Sequence, residues 1–379
     1  MSKWKPTIKK LNADEPPAKD ERESLRKGRS LFREGRYDEA QYEFERLLAD
    51  SPKSAGAHLG IGLVLLRRGL PAEAGAHFVE ARKLDPLLPK AYVLEGQSLM
   101  EQGHFEPAMM AFRDALNLDP KSVKAMVGLG QSLLRQKRYS EALEPLQTAL
   151  RYEPRKVLPR LLLAEVHSEQ GRVGNAIAEL RLALEIDPRH VRAATLLAKS
   201  LVAESDRDGA ERVLHAVVAE SLEESANLVQ LGRAALELEF YPVAEQALLE
   251  ALRCNPDRTA IRLSLVEALL ANGKLEAAEQ QVQKLPQNGQ TASLVHKLLG
   301  DVHLRRKQFR LAVEEYRATV LHLPDNEQLL EELKRELSTS GETVEWEELA
   351  EALQPSVADR VAEETQRVRQ SRRQRRDQR

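Results

Sequence analysis

The stretch Leu59–Pro86, LGIGLVLLRRGLPAEAGAHFVEARKLDP, decides the fold, because its pattern of small, large and turn residues returns along most of the chain. Its Ala74 belongs to a series of nine alanines, each 34 residues after the one before: Ala40, Ala74, Ala108, Ala142, Ala176, Ala210, Ala244, Ala278 and Ala312. A fixed period of this length indicates a repeat solenoid, in which each unit packs against its neighbours rather than into one shared core. The sequence therefore predicts nine copies of one small unit.

Aligning the nine units shows which positions stay chemically narrow. The units begin at Glu21, Ala55, Pro89, Val123, Val157, Val191, Ser225, Thr259 and Ser293. Position 8 is glycine in six units, position 20 is the alanine series, and position 24 is always a large residue such as Phe78. A small residue lets two helices approach closely, while a large residue fills the gap between them. Each unit is therefore predicted to be a helical hairpin.

Turn residues mark where the two helices of each unit should end. Glycine occupies position 15 in five units, at Gly35, Gly69, Gly103, Gly171 and Gly273. It adopts the left-handed conformation that commonly follows a helix. Proline, which cannot continue a helix, occupies position 32 in seven units, at Pro52, Pro86, Pro120, Pro154, Pro188, Pro256 and Pro324. These residues predict the turn inside each hairpin and the turn before the next one.

This pattern resembles the tetratricopeptide repeat (TPR), with a small residue at position 8, alanine at 20, an aromatic residue or leucine at 24 and proline at 32. The resemblance covers residues 21–326. It implies an all-α fold, a right-handed α-solenoid (superhelix) of helical hairpins with a C-terminal capping helix. It also implies that the first helix of each pair lines a concave groove, through positions 2, 5, 9, 12 and 13.

Segments outside the repeats have a different composition. Residues 1–20 are rich in lysine and proline and are predicted to be a flexible basic arm. Residues 327–354 are predicted to form the capping helix and a short acidic helix, and residues 355–379 an arginine-rich tail. The tail arginines are Arg367, Arg369, Arg372, Arg373, Arg375, Arg376 and Arg379.

Two repeats depart from the pattern. Repeat 6 has Ala198, Ser205 and Leu222 where glycine, glycine and proline are expected, which predicts a softer junction near residues 203–225. In repeat 8, Pro286 should end the second helix early, and PQNGQT should form a longer loop before repeat 9.

Composition excludes several classes of protein. A formal net charge of -2 argues against general electrostatic attraction to nucleic acid. The single cysteine, Cys254, cannot form an internal disulfide, and no secretory signal stands out near residue 1. No apolar run reaches the roughly 18 residues that cross a bilayer. We therefore expect a soluble protein of the cytoplasm without a transmembrane segment.

No arrangement of residues suggests catalysis. His167 and His303 fall at position 11, a column filled mostly by leucine, so packing explains them better than chemistry. The glycines near Gly60 and Gly128 belong to helix-packing columns rather than to a phosphate-binding loop. One cysteine cannot build a cysteine-rich metal domain. We expect no enzymatic activity, metal, cofactor or small-molecule substrate.

The groove that the resemblance implies is the candidate binding site. TPR domains that grip acidic chaperone C-termini use asparagine at position 9, and no repeat of this chain has it, which disfavours that mode. Repeats 2 to 4 instead offer apolar side chains and two amides: Leu59, Leu63, Leu66, Val93, Gln97, Met100, Val127, Gln131 and Leu134. An exposed apolar patch of this kind usually marks an interaction site. The alternative is that the superhelix or a terminal helix covers it.

Farther along, the groove positions become mixed in charge, with Glu165, Lys199 and Arg233 at position 9 of successive repeats. Two functions fit these observations. The first is a protein-interaction scaffold that takes a peptide or helix of a partner in the groove and helps assemble a complex. The alternative is an adaptor that docks weakly on RNA or another anionic surface through its basic termini.

Overall fold

The computed structural model describes residues 19–221, 224–286 and 289–322. Within these residues every regular element is an α-helix, and each of the nine repeats contains two consecutive helices. The pairs are α1 (Lys19–Arg33) with α2 (Tyr37–Asp50), α3 (Ala55–Arg67) with α4 (Pro71–Leu84), α5 (Pro89–Glu101) with α6 (Phe105–Leu118), α7 (Val123–Arg135) with α8 (Tyr139–Tyr152), α9 (Val157–Glu169) with α10 (Val173–Ile186), α11 (Val191–Ala203) with α12 (Arg207–Glu220), α13 (Ser225–Glu237) with α14 (Tyr241–Cys254), α15 (Thr259–Ala271) with α16 (Leu275–Val282), and α17 (Gly289–Arg305) with α18 (Phe309–His322).

The predicted all-α solenoid of helical hairpins is confirmed in this part of the chain. Seven first helices, from α3 to α15, begin at position 1 of their repeat. Helix α1 begins two residues earlier, at Lys19, so the last residues assigned to the basic arm are already helical. The rest of the arm, the capping and acidic helices and the arginine-rich tail lie outside the described residues.

Repeat 8 differs from the expectation in one respect. Helix α16 is short, with 8 residues against 14 in the other second helices, as the sequence predicts. However, α17 begins at Gly289, so the last three residues of PQNGQT are helical rather than part of a longer loop. Helix α17 therefore begins about one turn before position 1 of its repeat, and this extra turn contains residues that would otherwise belong to the loop after the short α16.

The turn inside each hairpin has the same backbone conformation in all nine repeats. Position 15 has a positive φ in the five glycines, for example 78° at Gly35. In the other four repeats the same position also has a positive φ, at Lys137, Ser205, Glu239 and Lys307. The hairpin therefore requires this left-handed residue, even where the sequence does not supply glycine.

In the six repeats with glycine at position 8, that residue packs directly against position 24 of the same repeat. A Cβ added to Gly62 would lie 2.8 Å from Cζ of Phe78, a ring that is fully buried. Phe44 is enclosed from two sides, since a Cβ on Gly28 would lie 2.7 Å from its Cζ and one on Gly60 2.6 Å from it. The small and large columns thus fit together as predicted, both within and between repeats.

A polar bridge also joins the two helices of several hairpins, between positions 4 and 23. The bonded pairs are Arg160 with Glu179 at 2.8 Å, Arg262 with Gln281 at 2.7 Å, His296 with Glu315 at 2.7 Å and His58 with His77 at 3.1 Å. Repeat 2 is unlike the others, because two imidazole rings meet there.

The chain divides into two compact units between Ser205 and Asp206, in the turn of repeat 6. The first unit contains α1 to α11, and the second contains α12 to α18. In the first unit one core cluster surrounds Phe44 and Phe78, and the next surrounds Phe112 and Leu146.

Candidate functional site

A groove of about 580 Å³ lies on the first unit and is lined almost entirely by first helices. Side chains of α1, α3, α5, α7 and α9 reach it, because the solenoid stacks these helices side by side. Six of the residues predicted from the sequence line it: Leu63, Leu66, Gln97, Met100, Val127 and Gln131. All six are partly exposed, so the groove presents apolar surface and two amide groups to solvent.

Three other predicted residues lie elsewhere. Leu59 and Val93 are 4% and 5% exposed and belong to the hydrophobic core, so their assignment to the groove is wrong. The reason is visible one repeat earlier, where Leu25 at position 5 packs against position 2 of the next first helix, at Gly56. Leu59 and Val93 are buried at this position, whereas Val127, at position 5 of repeat 4, still reaches the groove. Leu134 lines a different cavity.

That second cavity, of about 650 Å³, brings Leu134 together with Glu165 and Lys199 of the predicted mixed-charge wall. Glu165 already forms an ion pair with Arg192. Arg233, the third residue of that prediction, is exposed on α13 in the second unit.

The groove is rimmed by cations. Arg67, Lys124 and Lys156 line it, against one carboxylate, Glu101. Lys90 is not part of the groove lining, but it stands at the same position 2 as Lys124, one repeat earlier. Desolvation first, and then the charges of Arg29 and Lys124, lower its pKa.

Most of these cations have no anionic partner among the residues that the structure describes. Lys156 pairs with Glu153 at 3.1 Å. Arg29, Arg67, Lys90 and Lys124 form no ion pair with any carboxylate in the part of the chain that the structure describes. The TPR resemblance implies that position 2 is a groove position, but the sequence prediction did not include the lysines found there, Lys90 and Lys124.

The two histidines assigned to packing are consistent with that role. His167 is 8% exposed, and burial lowers its pKa. His303 contacts Gln308 in the following turn, with 2.9 Å between Nδ1 and Oε1. Among the described residues, no group of three or more metal-binding side chains comes together. None of the described helices combines the length and apolar character needed to span a bilayer.

Comparison with known proteins agrees with the repeat pattern. A family model described as "Tetratricopeptide repeat" matches residues 25–89, 93–152 and 229–293, and a second model of that description matches residues 133–200. Tetratricopeptide repeat protein 21A of Mus musculus is 28% identical over 117 residues, which span 31% of this chain and 9% of that protein.

Solved structures show the same fold at low identity. A tetratricopeptide repeat protein from Parabacteroides merdae is 16% identical, with a TM-score of 0.50 over 66% of this chain and 100% of that one. Human IFIT1, solved as a dimer with m7Gppp-AAAA, is 18% identical, with a TM-score of 0.51 over 79% of this chain and 71% of that one. The family matches cover more than half of the sequence and coincide with the observed helical hairpins. The chain therefore belongs to the tetratricopeptide repeat family.

Proposed function

We propose that this protein is a non-enzymatic interaction scaffold, which binds a peptide or helix of a partner protein in the groove of the first unit and helps to assemble a complex. Membership of the TPR family supports a protein-binding role in general. The observation that carries the specific proposal is the groove itself, where apolar side chains from three consecutive first helices remain partly open to solvent.

Leu63, Leu66, Met100 and Val127 provide the apolar contact surface. Removing apolar surface from water contributes roughly 25 cal/mol per Å², so covering this floor would favour binding against the entropy lost on association.

Gln97 and Gln131 give the floor a polar component. Each is partly buried, and neither amide has a hydrogen-bond partner within the described ranges. Both stand at position 9, in adjacent repeats, where they could hold successive backbone groups of an extended chain. A bound helix would leave them unused, because its backbone is already paired internally.

The test is to place charge on the floor with Leu63→Glu and Val127→Glu together. Partners recovered by affinity purification with the wild-type protein should be lost, while circular dichroism and the melting temperature stay close to wild type. A matched control makes the same change at Leu87 and Met110, which are exposed outside the groove. If the floor variant folds and still captures the same partners, the site lies elsewhere, and the cavity at Glu165 and Lys199 is the next candidate.

A second variant, Gln97→Ala with Gln131→Ala, distinguishes the two kinds of ligand. We expect it to weaken an extended peptide and to leave the affinity for a helix unchanged.

A further inference from the structure

We propose that the groove recognises a protein segment that interleaves acidic with apolar side chains, and that it holds the acidic side chains at Lys90 and Lys124. This inference rests on the proposed function and adds the chemistry of the partner. It starts from an ion pair that repeat 6 forms with the repeat before it and that repeats 3 and 4 do not form.

Position 2 of one repeat lies next to position 9 of the repeat before it. In repeat 6, Arg192 at position 2 forms an ion pair with Glu165 at position 9 of repeat 5. Lys90 and Lys124 occupy the same position 2 in repeats 3 and 4. The residues at position 9 before them are Leu63 and Gln97, which carry no charge. The carboxylate that neutralises Arg192 is therefore missing from the surroundings of both lysines.

Other positive charges nearby add to the uncompensated charge of these lysines. The positive charges of Arg29 and Lys124 both act on Lys90, which is also partly desolvated. Arg67 and Lys156 add positive charge to the groove lining, and Glu101 is the carboxylate that lines it. Like charges held close together repel, so a ligand with carboxylates would be attracted to the groove and its acidic groups would fix its register.

Charge alone does not describe the ligand, because the floor between the cations is apolar. Leu63, Leu66, Met100 and Val127 would stay exposed beneath a polyanion that had no apolar groups. Single-stranded nucleic acid also binds by stacking its bases on aromatic side chains. Of the two aromatic residues at the groove, Phe112 is fully buried, and Phe32 packs against Tyr37 with ring centroids 5.5 Å apart. The surface therefore fits an acidic and apolar peptide better than RNA.

The lysines contact side chains of the ligand rather than its chain end. Position 9, at the centre of the floor, is neutral in repeats 2 to 4, with leucine followed by two glutamines. The cations stand beside this floor. A peptide with apolar residues on the floor would direct its flanking carboxylates towards Lys90 and Lys124, so no free C-terminal carboxylate is needed.

The experiment measures fluorescence anisotropy of labelled synthetic peptides with the full chain. The probe interleaves Glu and Leu, and both ends are blocked to remove the terminal charges. Two counterparts keep every leucine and replace Glu by Gln or by Lys. We expect the Gln peptide to bind about tenfold more weakly than the Glu peptide and the Lys peptide more weakly still. Added salt should lower the affinity of the Glu peptide towards that of the Gln peptide and should leave the affinity of the Gln peptide unchanged.

Variants then locate the effect. Lys90→Glu with Lys124→Glu should lower the affinity for the Glu peptide about tenfold and leave that for the Gln peptide unchanged. The control, Arg151→Glu with Arg181→Glu, makes the same change of net charge at exposed positions of second helices and should bind like wild type. Gln97→Glu should also weaken the Glu peptide, because it gives Lys124 the internal carboxylate that Arg192 has.

Several results would overturn the inference. Equal binding of the Glu and Gln peptides would refute the role of charge and leave the proposed peptide groove intact. Loss of binding in the control as well would mean that net charge, not these lysines, matters. Tighter binding of an oligouridine RNA than of the Glu peptide would indicate a polyanion site. Failure of all three peptides to bind would count against the groove and the inference together.

Discussion

Replacing Gly62 by alanine tests how tightly the two helices of a repeat are packed. Gly62 stands inside α3, where alanine is intrinsically better than glycine by about 1 kcal/mol. Propensity alone therefore predicts that Gly62→Ala stabilises the protein. Packing predicts the opposite, because the new Cβ would lie 2.8 and 2.9 Å from Cζ and Cδ1 of Phe78.

The balance of the two effects can be estimated. Carbon atoms in contact are normally about 3.5 to 4.0 Å apart, so the methyl group and the ring must separate by most of an ångström. Phe78 is 0% exposed, so the ring has no solvent-filled space to enter. Overpacking a well-filled core costs about 1 to 3 kcal/mol. Subtracting the gain in helix propensity leaves a net loss of about 0 to 2 kcal/mol in the free energy of unfolding, instead of the gain of about 1 kcal/mol that propensity alone predicts.

Gly174 provides the matched control. It also lies in a helix, α10, but a Cβ added there would have no heavy atom within 4 Å. Gly174→Ala should therefore stabilise the protein by about 0.5 to 1 kcal/mol. Urea denaturation followed by far-ultraviolet circular dichroism would measure both variants. If Gly62→Ala proves as stable as Gly174→Ala, the close contact between positions 8 and 24 is not a real constraint.

Three further predictions concern stability. Ala142→Leu overpacks the alanine column and should cost about 1 to 3 kcal/mol or more, whereas Glu101→Ala, at an exposed residue, should cost little in the same urea titration. Lys137→Gly removes a side chain from a left-handed position, so it should increase the free energy of unfolding by roughly 1 kcal/mol and raise the urea midpoint; an unchanged midpoint would show that the turn is unstrained. Burial lowers the pKa of both His58 and His77, so the unfolded chain binds more protons than the folded one. The free energy of unfolding should then fall as the pH drops below about 6.5, and His58→Gln with His77→Gln should reduce this fall in midpoints measured at about pH 7.5 and 5.5.

The sequence predicts the helices well because every position is sampled nine times. A single glycine such as Gly62 says little, but a column of small residues facing a column of large ones indicates one packing arrangement. The left-handed turn residues at Lys137 and Ser205 could not be predicted from residue type. Their conformation is required by the hairpin, which overrides the local preference of lysine or serine for negative φ.

The repeat pattern predicts which face of a helix a residue lies on, but it does not predict how deeply the side chain is buried. Val127 and Val93 share position 5 and the same side chain, yet Val127 is partly exposed at the groove and Val93 is buried. Burial depends on the size of side chains in the neighbouring repeats, which a single column does not contain. Of the nine residues in the groove prediction, six therefore line one groove, two are buried in the core and one lines a different cavity, while their role in binding stays a prediction.

The positive charge at the edge of the groove could not be predicted from the sequence, for a related reason. Lys90 and Arg192 occupy the same column, but whether each is paired depends on position 9 of the repeat before it, where one faces Leu63 and the other Glu165. The contact is between residues 27 apart in the sequence, a spacing that no single helix or turn would reveal. Once that contact is known, the two columns together predict the charge of the groove. In repeats 3 and 4 they leave positive charge beside an apolar floor, and in repeat 6 they neutralise it. Repeats of one architecture thus differ in the charge that they expose, through the residues at positions 2 and 9.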